Sequence, residues 1–157
     1  MRFFILTTVL SIVVFLLFFY FSGFCGEMNI SAQKMEILEN EGIVAFSGNV
    51  YAVKDDLKLW CDKLYIYYSQ NSTSKNREIK KLVAIGRVII EKGEWKAYAG
   101  KAVYFKDTET LVLEDSPKVW KGKTLIEGDI VKIYFNEERS EVISKGEGRV
   151  RVNLYEK

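Results

Sequence analysis

From Asn29 onward the chain repeats itself in units of paired strands, and this repeat narrows the possible folds more than any other feature. One strand type places a small residue before a polar step, as in Ile30-Ser-Ala32-Gln-Lys34, Leu59-Trp-Cys61-Asp-Lys63, Ala97-Tyr-Ala99-Gly-Lys101 and Ile126-Glu-Gly128-Asp-Ile130. The other type ends in a Gly-x-Val step: Phe46-Ser-Gly48-Asn-Val50, Ile85-Gly86-Arg-Val88 and Gly148-Arg-Val150, with Pro117-Lys-Val119 standing in for a further copy. One spacing is longer than the others, and the polar stretch over residues 70–77 accounts for the excess as an extended loop.

Within the first strand type the apolar parity changes. Leu59 and Cys61 are odd-numbered, whereas Leu64, Ile66 and Tyr68 are even; Ala97 and Ala99 followed by Ala102 and Tyr104 repeat the change. Successive strand residues point to opposite faces, so the switch predicts a bend or bulge at Asp62-Lys63 that carries a strand from one sheet to the other. Ala32, Cys61, Ala99 and Gly128 form a column of small side chains where backbones approach closely, and Cys61 fits there as a small buried hydrophobe. Stacked bent pairs of this kind predict an all-β fold, a tapered, twisted roll of two sheets built from repeated bent strand pairs rather than a flat sandwich.

Composition agrees with one domain of this class and excludes several functions. At 157 residues, 48% of them hydrophobic, the chain can bury one core. Nine Tyr and ten Phe favour strands, and a single proline leaves little room for a loop-rich scaffold. The net charge of +2 comes from 23 basic and 21 acidic residues that are interspersed, which is not the basic field of a nucleic-acid binder. There is no histidine, so the commonest general base and metal ligand are missing, and Cys25 and Cys61 cannot form a metal cluster. No enzyme, metal or cofactor is expected.

Met1-Arg2 precedes an uncharged stretch over residues 3–26, densest in apolar residues over 9–21, which is how a secretory signal begins. Gly23 and Cys25 stand at the spacing of a cleavage site, so residues 1–25 are expected to be a signal peptide and 26–157 the exported domain. The same stretch is long enough to span a bilayer, at about 20 residues, which leaves an uncleaved anchor as the alternative. Phe24 disfavours lipid modification of Cys25.

The steps Cys61-Asp62-Lys63, Phe46-Ser47-Gly48-Asn49-Val50, Ala84-Ile85-Gly86-Arg87-Val88, Lys101-Ala102-Val103-Tyr104 and Ile126-Glu127-Gly128-Asp129 resemble those of the LptA/OstA-like family, over roughly residues 30–152. The departures are Cys61 for the usual alanine and Pro117 for a glycine. The resemblance implies a periplasmic, non-enzymatic carrier of lipopolysaccharide. Its jellyroll would be open along one side, receive the acyl chains of lipid A, and dock end to end with its own copies and with LptC-like and LptD-like jellyroll partners at the inner and outer membranes. An uncleaved anchor would instead make it an inner-membrane LptC-like jellyroll that accepts the same lipid.

The inward parity gives candidate lipid-lining positions Val44, Phe46, Val50, Leu59, Leu64, Ile66, Val88, Ile90, Tyr104, Val119, Ile126, Val131 and Ile133, with a closed core as the plainer reading of any one of them. Lys75, Arg77, Lys80, Lys81, Lys118, Lys121 and Lys123 lie in or beside turns and are candidates for lipid phosphates, although most such charges are merely solvated. The adjacent acids Asp55-Asp56 and Glu137-Glu138 read as turn chemistry. A carbohydrate-binding or hydrolytic jellyroll is the remaining reading, and it predicts aromatic platforms or acid pairs on an exposed face. The first and last strands, over residues 29–36 and 148–155, lack the proline that commonly blunts an edge, so they invite strand addition.

Overall fold

The computed structural model describes residues 27–69 and 78–154. Its strands are β1 Met28–Ser31, β2 Lys34–Leu38, β3 Ile43–Lys54, β4 Leu57–Tyr68, β5 Ile79–Lys92, β6 Trp95–Phe105, β7 Thr110–Glu114, β8 Lys118–Lys121, β9 Thr124–Glu127, β10 Ile130–Tyr134, β11 Arg139–Ile143 and β12 Arg151–Asn153. They form one 12-stranded antiparallel sheet that folds into two layers because β3 to β6 are long enough to belong to both. The first half of β3 pairs with β2 and the second with β1, whereas the first half of β6 pairs with β8 and the second with β7. One layer is therefore β1-β3-β4-β5-β6-β8-β9-β12, and the other is β2-β3-β4-β5-β6-β7-β10-β11. The terminal strands of a layer do not pair with each other, so the roll stays open.

The crease between layers lies where the parity switch predicts it. Register shifts fall between Ser47 and Val50, Trp60 and Lys63, and Ile85 and Val88, so an extra residue in β3 and in β5 turns the paired strands without breaking them. Glycine makes the turn possible: Gly48 and Gly86 adopt φ of 84° and 81°. Cys61 and Leu64, on either side of the bend, join one core cluster, as do Ala99 and Ala102. Small side chains near the crease let the layers close on each other.

Both terminal strands differ from expectation. The expected strand over 29–36 is divided into β1 and β2, because at Ala32-Gln33 the chain steps from one layer to the other and the Gln33 N–H donates to the Gly48 carbonyl (3.0 Å). The expected last strand over 148–155 keeps a ladder only at β12, after a turn at Gly146 with φ of 61° and a second layer change; its residue 155 lies outside the described residues. The expected signal segment, residues 1–25, and the expected loop, residues 70–77, also lie outside them. Pro117 is fully buried, and the residues before it, Asp115 and Ser116, take the positive φ that glycine takes elsewhere. Cys61 is a buried free thiol whose pKa is pushed up to about 11, first by burial and then by Asp62.

An apolar trough between the layers

The inner faces of the two layers converge at the crease and part toward the hairpins. Near the crease, Val50, Leu64, Ile66, Val88, Val119 and Val131 are fully enclosed and pack with Leu113 and a set of alanines. Farther out, Phe46, Leu59, Ile90, Tyr104 and Ile133 are partly buried against that core. Register places Val44 opposite Ile66 and Ile126 opposite Val119, so both share the inner face.

Between the parted layers lies a groove of about 480 Å³, within the range of ligand sites at roughly 300–1,000 Å³. Of the expected lining positions, Leu59, Leu64, Ile90 and Tyr104 reach it. The other nine stand elsewhere on the inner face or in the closed core. Ala52, Leu82, Ala84, Ala102, Leu111 and Phe135 complete the apolar wall and were not among the sequence candidates. The alanines share the inward parity of Leu64 and Tyr104, a signal that was available. Phe135 sits in a short 3-10 turn, Phe135–Glu137, with no periodicity to reveal it.

The lips of the groove are hairpins. Lys54, Asp55 and Asp56 come from the β3–β4 turn, Lys92 from the end of β5 and Glu109 from the β6–β7 turn. Phe135 meets Tyr104 edge to face at 6.3 Å between ring centroids, and the Lys92 ammonium lies 6.0 Å from the Phe135 ring, linking the opposite lips. Burial, with Glu109 nearby, holds the Tyr104 hydroxyl above its ordinary pKa. Among the described residues no group of His, Cys, Asp and Glu could hold a metal ion, and no buried side-chain polar atom lacks a partner. The chemistry on offer is exclusion of water.

Among the described residues, the expected phosphate-contact cations do not gather at this mouth. Lys80 pairs with Asp107 (3.4 Å), Lys118 pairs with Glu127 (3.2 Å), Lys81 lies over the Tyr67 ring and Lys121 over the Trp95 ring. Lys123 is exposed in the β8–β9 turn, and Lys75 and Arg77 lie outside the described residues. The lysines that border the trough are Lys54 and Lys92.

The apolar inner face also continues beyond the groove to both ends of the roll. At one end Met35 and Ile37 of β2 are 54% and 53% exposed, although register pairs them with inward Phe46 and Val44. At the other, Val152 of β12 is 47% exposed opposite inward Ile126. Such side chains face inward yet remain uncovered because, among the described residues, no strand lies beyond them.

The fold is thus an open two-layered roll with an apolar trough between its layers. Residues 29–139 match the model of the LptA/(LptD N-terminal domain) LPS transport protein family, and the chain belongs to that family. It is 24% identical over 131 residues to an uncharacterized protein of Rhizobium meliloti (strain 1021), covering 81% of this chain and 70% of that protein. In fold it is similar to LptH, the LptA-homologous periplasmic component of the lipopolysaccharide transport device of Pseudomonas aeruginosa, with a TM-score of 0.71 at 16% identity over 83% of this chain and 96% of the other. The family is one of transport proteins. Among the described residues no helix is long and apolar enough to cross a membrane.

Proposed function

We propose that this protein works in the periplasm as a lipopolysaccharide carrier, taking the acyl chains of lipid A into the trough and passing them along a bridge of end-to-end copies. The observation that carries this reading is the inner apolar face, which runs from Met35 and Ile37 through the groove to Val152, with Lys54 and Lys92 at the groove's lips. Exposing one acyl chain of about a dozen methylenes to water costs on the order of 10 kcal/mol at ~0.8 kcal/mol each. A lipid with several chains therefore needs a continuous apolar path between membranes, which stacked rolls supply. LptC-like and LptD-like jellyrolls would complete the bridge at its two ends.

Photo-crosslinking side chains at Leu59, Leu82 and Ile90, in cells making lipopolysaccharide, test the trough. They should capture the lipid, whereas Lys63 and Tyr65, on the opposite face of β4, should not. Equal capture from both sets would mean that the lipid does not use the trough. Val50 and Val88 are unsuitable probes, being 1% exposed in the closed core.

A further inference from the structure

The outer face of the layer containing β1 and β8 carries an aromatic row that the trough does not use. Register aligns Tyr51 with Trp60, Trp60 with Ile89 and Ile89 with Tyr98, and Trp120 joins the row from β8. Tyr51 and Trp60 lie 5.2 Å apart between ring centroids, and Tyr98 and Trp120 meet edge to face at 5.3 Å. Three shallow depressions of about 380, 450 and 530 Å³ follow the row. The first holds Trp60 and Ile89, the second Ile89, Tyr98 and Trp120, and the third Tyr98, Trp120 and Trp95.

We infer that this row is a saccharide-binding face, and that its occupant is the sugar portion of the lipopolysaccharide whose acyl chains fill the trough. The inference rests on the function proposed above. Three observations support it. Aromatic rings offer flat apolar surfaces to the C–H faces of sugar rings, while Tyr O–H and Trp N–H groups remain for their hydroxyls. Most charges beside the row are paired within the protein, Lys96 with Glu91 (2.7 Å), Arg87 with Asp62, and Lys118 with Glu127 (3.2 Å), and Glu94 stands at the outermost depression. Such a surface projects little net field, and it suits a polar ligand with apolar faces better than a polyanion. Finally, the row adjoins the trough's lip: Lys92 lines the trough, while the next residue, Gly93, lines the outermost depression. A head group leaving the trough over the β5–β6 hairpin meets the aromatic row directly, and successive depressions match a chain of rings.

Three ligands separate the two sites: intact lipopolysaccharide, the oligosaccharide released from it by mild acid, and the lipid A that remains. The oligosaccharide alone should quench tryptophan fluorescence and shift the NMR signals of Tyr98 and Trp120. A Tyr98→Ala/Trp120→Ala protein should lose its affinity at least tenfold while taking up lipid A unchanged, and Tyr98→Trp, which keeps a ring, should retain binding. Absence of any response to the oligosaccharide, or equal affinity in the double variant, would overturn the inference. If the oligosaccharide binds and lipid A does not, the outer site stands and the trough reading falls.

Discussion

At the crease, a glycine on one strand lies beneath a polar side chain on its neighbour. A Cβ on Gly48 would collide with Gln33, one on Gly86 with Asp62, and one on Gly100 with Asp115. The third pair is inverted. Gly100 occupies the step that holds Gln33 and Asp62 in other units, and its N–H donates to the Asp115 carbonyl (2.9 Å) just as that of Gln33 does to Gly48. The bend thus requires one side-chain-free position in each pair, on either strand. Gly86→Ala should destabilise the fold by about 1–3 kcal/mol, since φ is 81° and the Asp62 carboxylate fills the space. Gly86→Asp alone should be worse. Adding Asp62→Gly, which reproduces the arrangement at Gly100 and Asp115, should recover much of the loss in thermal unfolding. No recovery would mean that the pairs are not interchangeable.

Elements at the C-terminal end are held by a carboxylate rather than by a long ladder. Asp129, where the chain passes from β9 to β10, accepts hydrogen bonds from the Lys145 backbone N–H (2.6 Å) and the Ser144 hydroxyl (3.0 Å). The Lys145 bond, then that of Ser144, lowers its pKa below 3.8. A carboxyl whose folded pKa is depressed stabilises the fold above its unfolded value, and this contribution fades as pH falls through the folded one. Asp129→Asn should therefore lower the melting temperature at neutral pH, with the gap from wild type closing below pH 3.8, and should reduce hydrogen-exchange protection at Lys145, because a neutral amide oxygen accepts more weakly than a carboxylate. A gap that is independent of pH would assign the effect to geometry instead of charge. At this scale much was legible in the sequence. The parity change from Cys61 to Leu64 located the crease, and the inward sets of β3 to β6 followed from it. The trough was less legible, because parity tells inward from outward but not enclosed from open: Val88 and Ile90 share a face and a strand, yet Val88 is sealed and Ile90 lines the groove. That difference depends on where hairpins diverge. Of the terminal strands, the first carries the same parity change, even at Ile30 and odd at Met35 and Ile37, which the expectation of one strand over 29–36 passes over, whereas the layer change at Gly146 leaves the alternation of the last strand intact.

For the whole molecule, the decisive property is that neither end of the roll is finished. Each end presents edge strands of both layers, β1 and β2 at one and β11 and β12 at the other, with unpaired backbone groups beside inward apolar side chains. Proteins normally blunt such edges, and here β-strand addition would both satisfy the backbone and cover Met35, Ile37 and Val152. The two ends differ from each other, so a contact between copies would be heterologous and would propagate into rods rather than close into a dimer. Ile37→Asp disables one end and Val152→Asp the other; both positions are exposed, so each variant should remain folded. Alone, each should need at least a tenfold higher concentration to associate, a loss of about 1.4 kcal/mol or more. Mixed in equal amounts, they should form a dimer and stop, because the one intact end of each fits the intact end of the other. Sedimentation across a wide concentration range reads all three cases. Rods from either single variant, or no dimer from the mixture, would show that copies do not meet end to end through these strands.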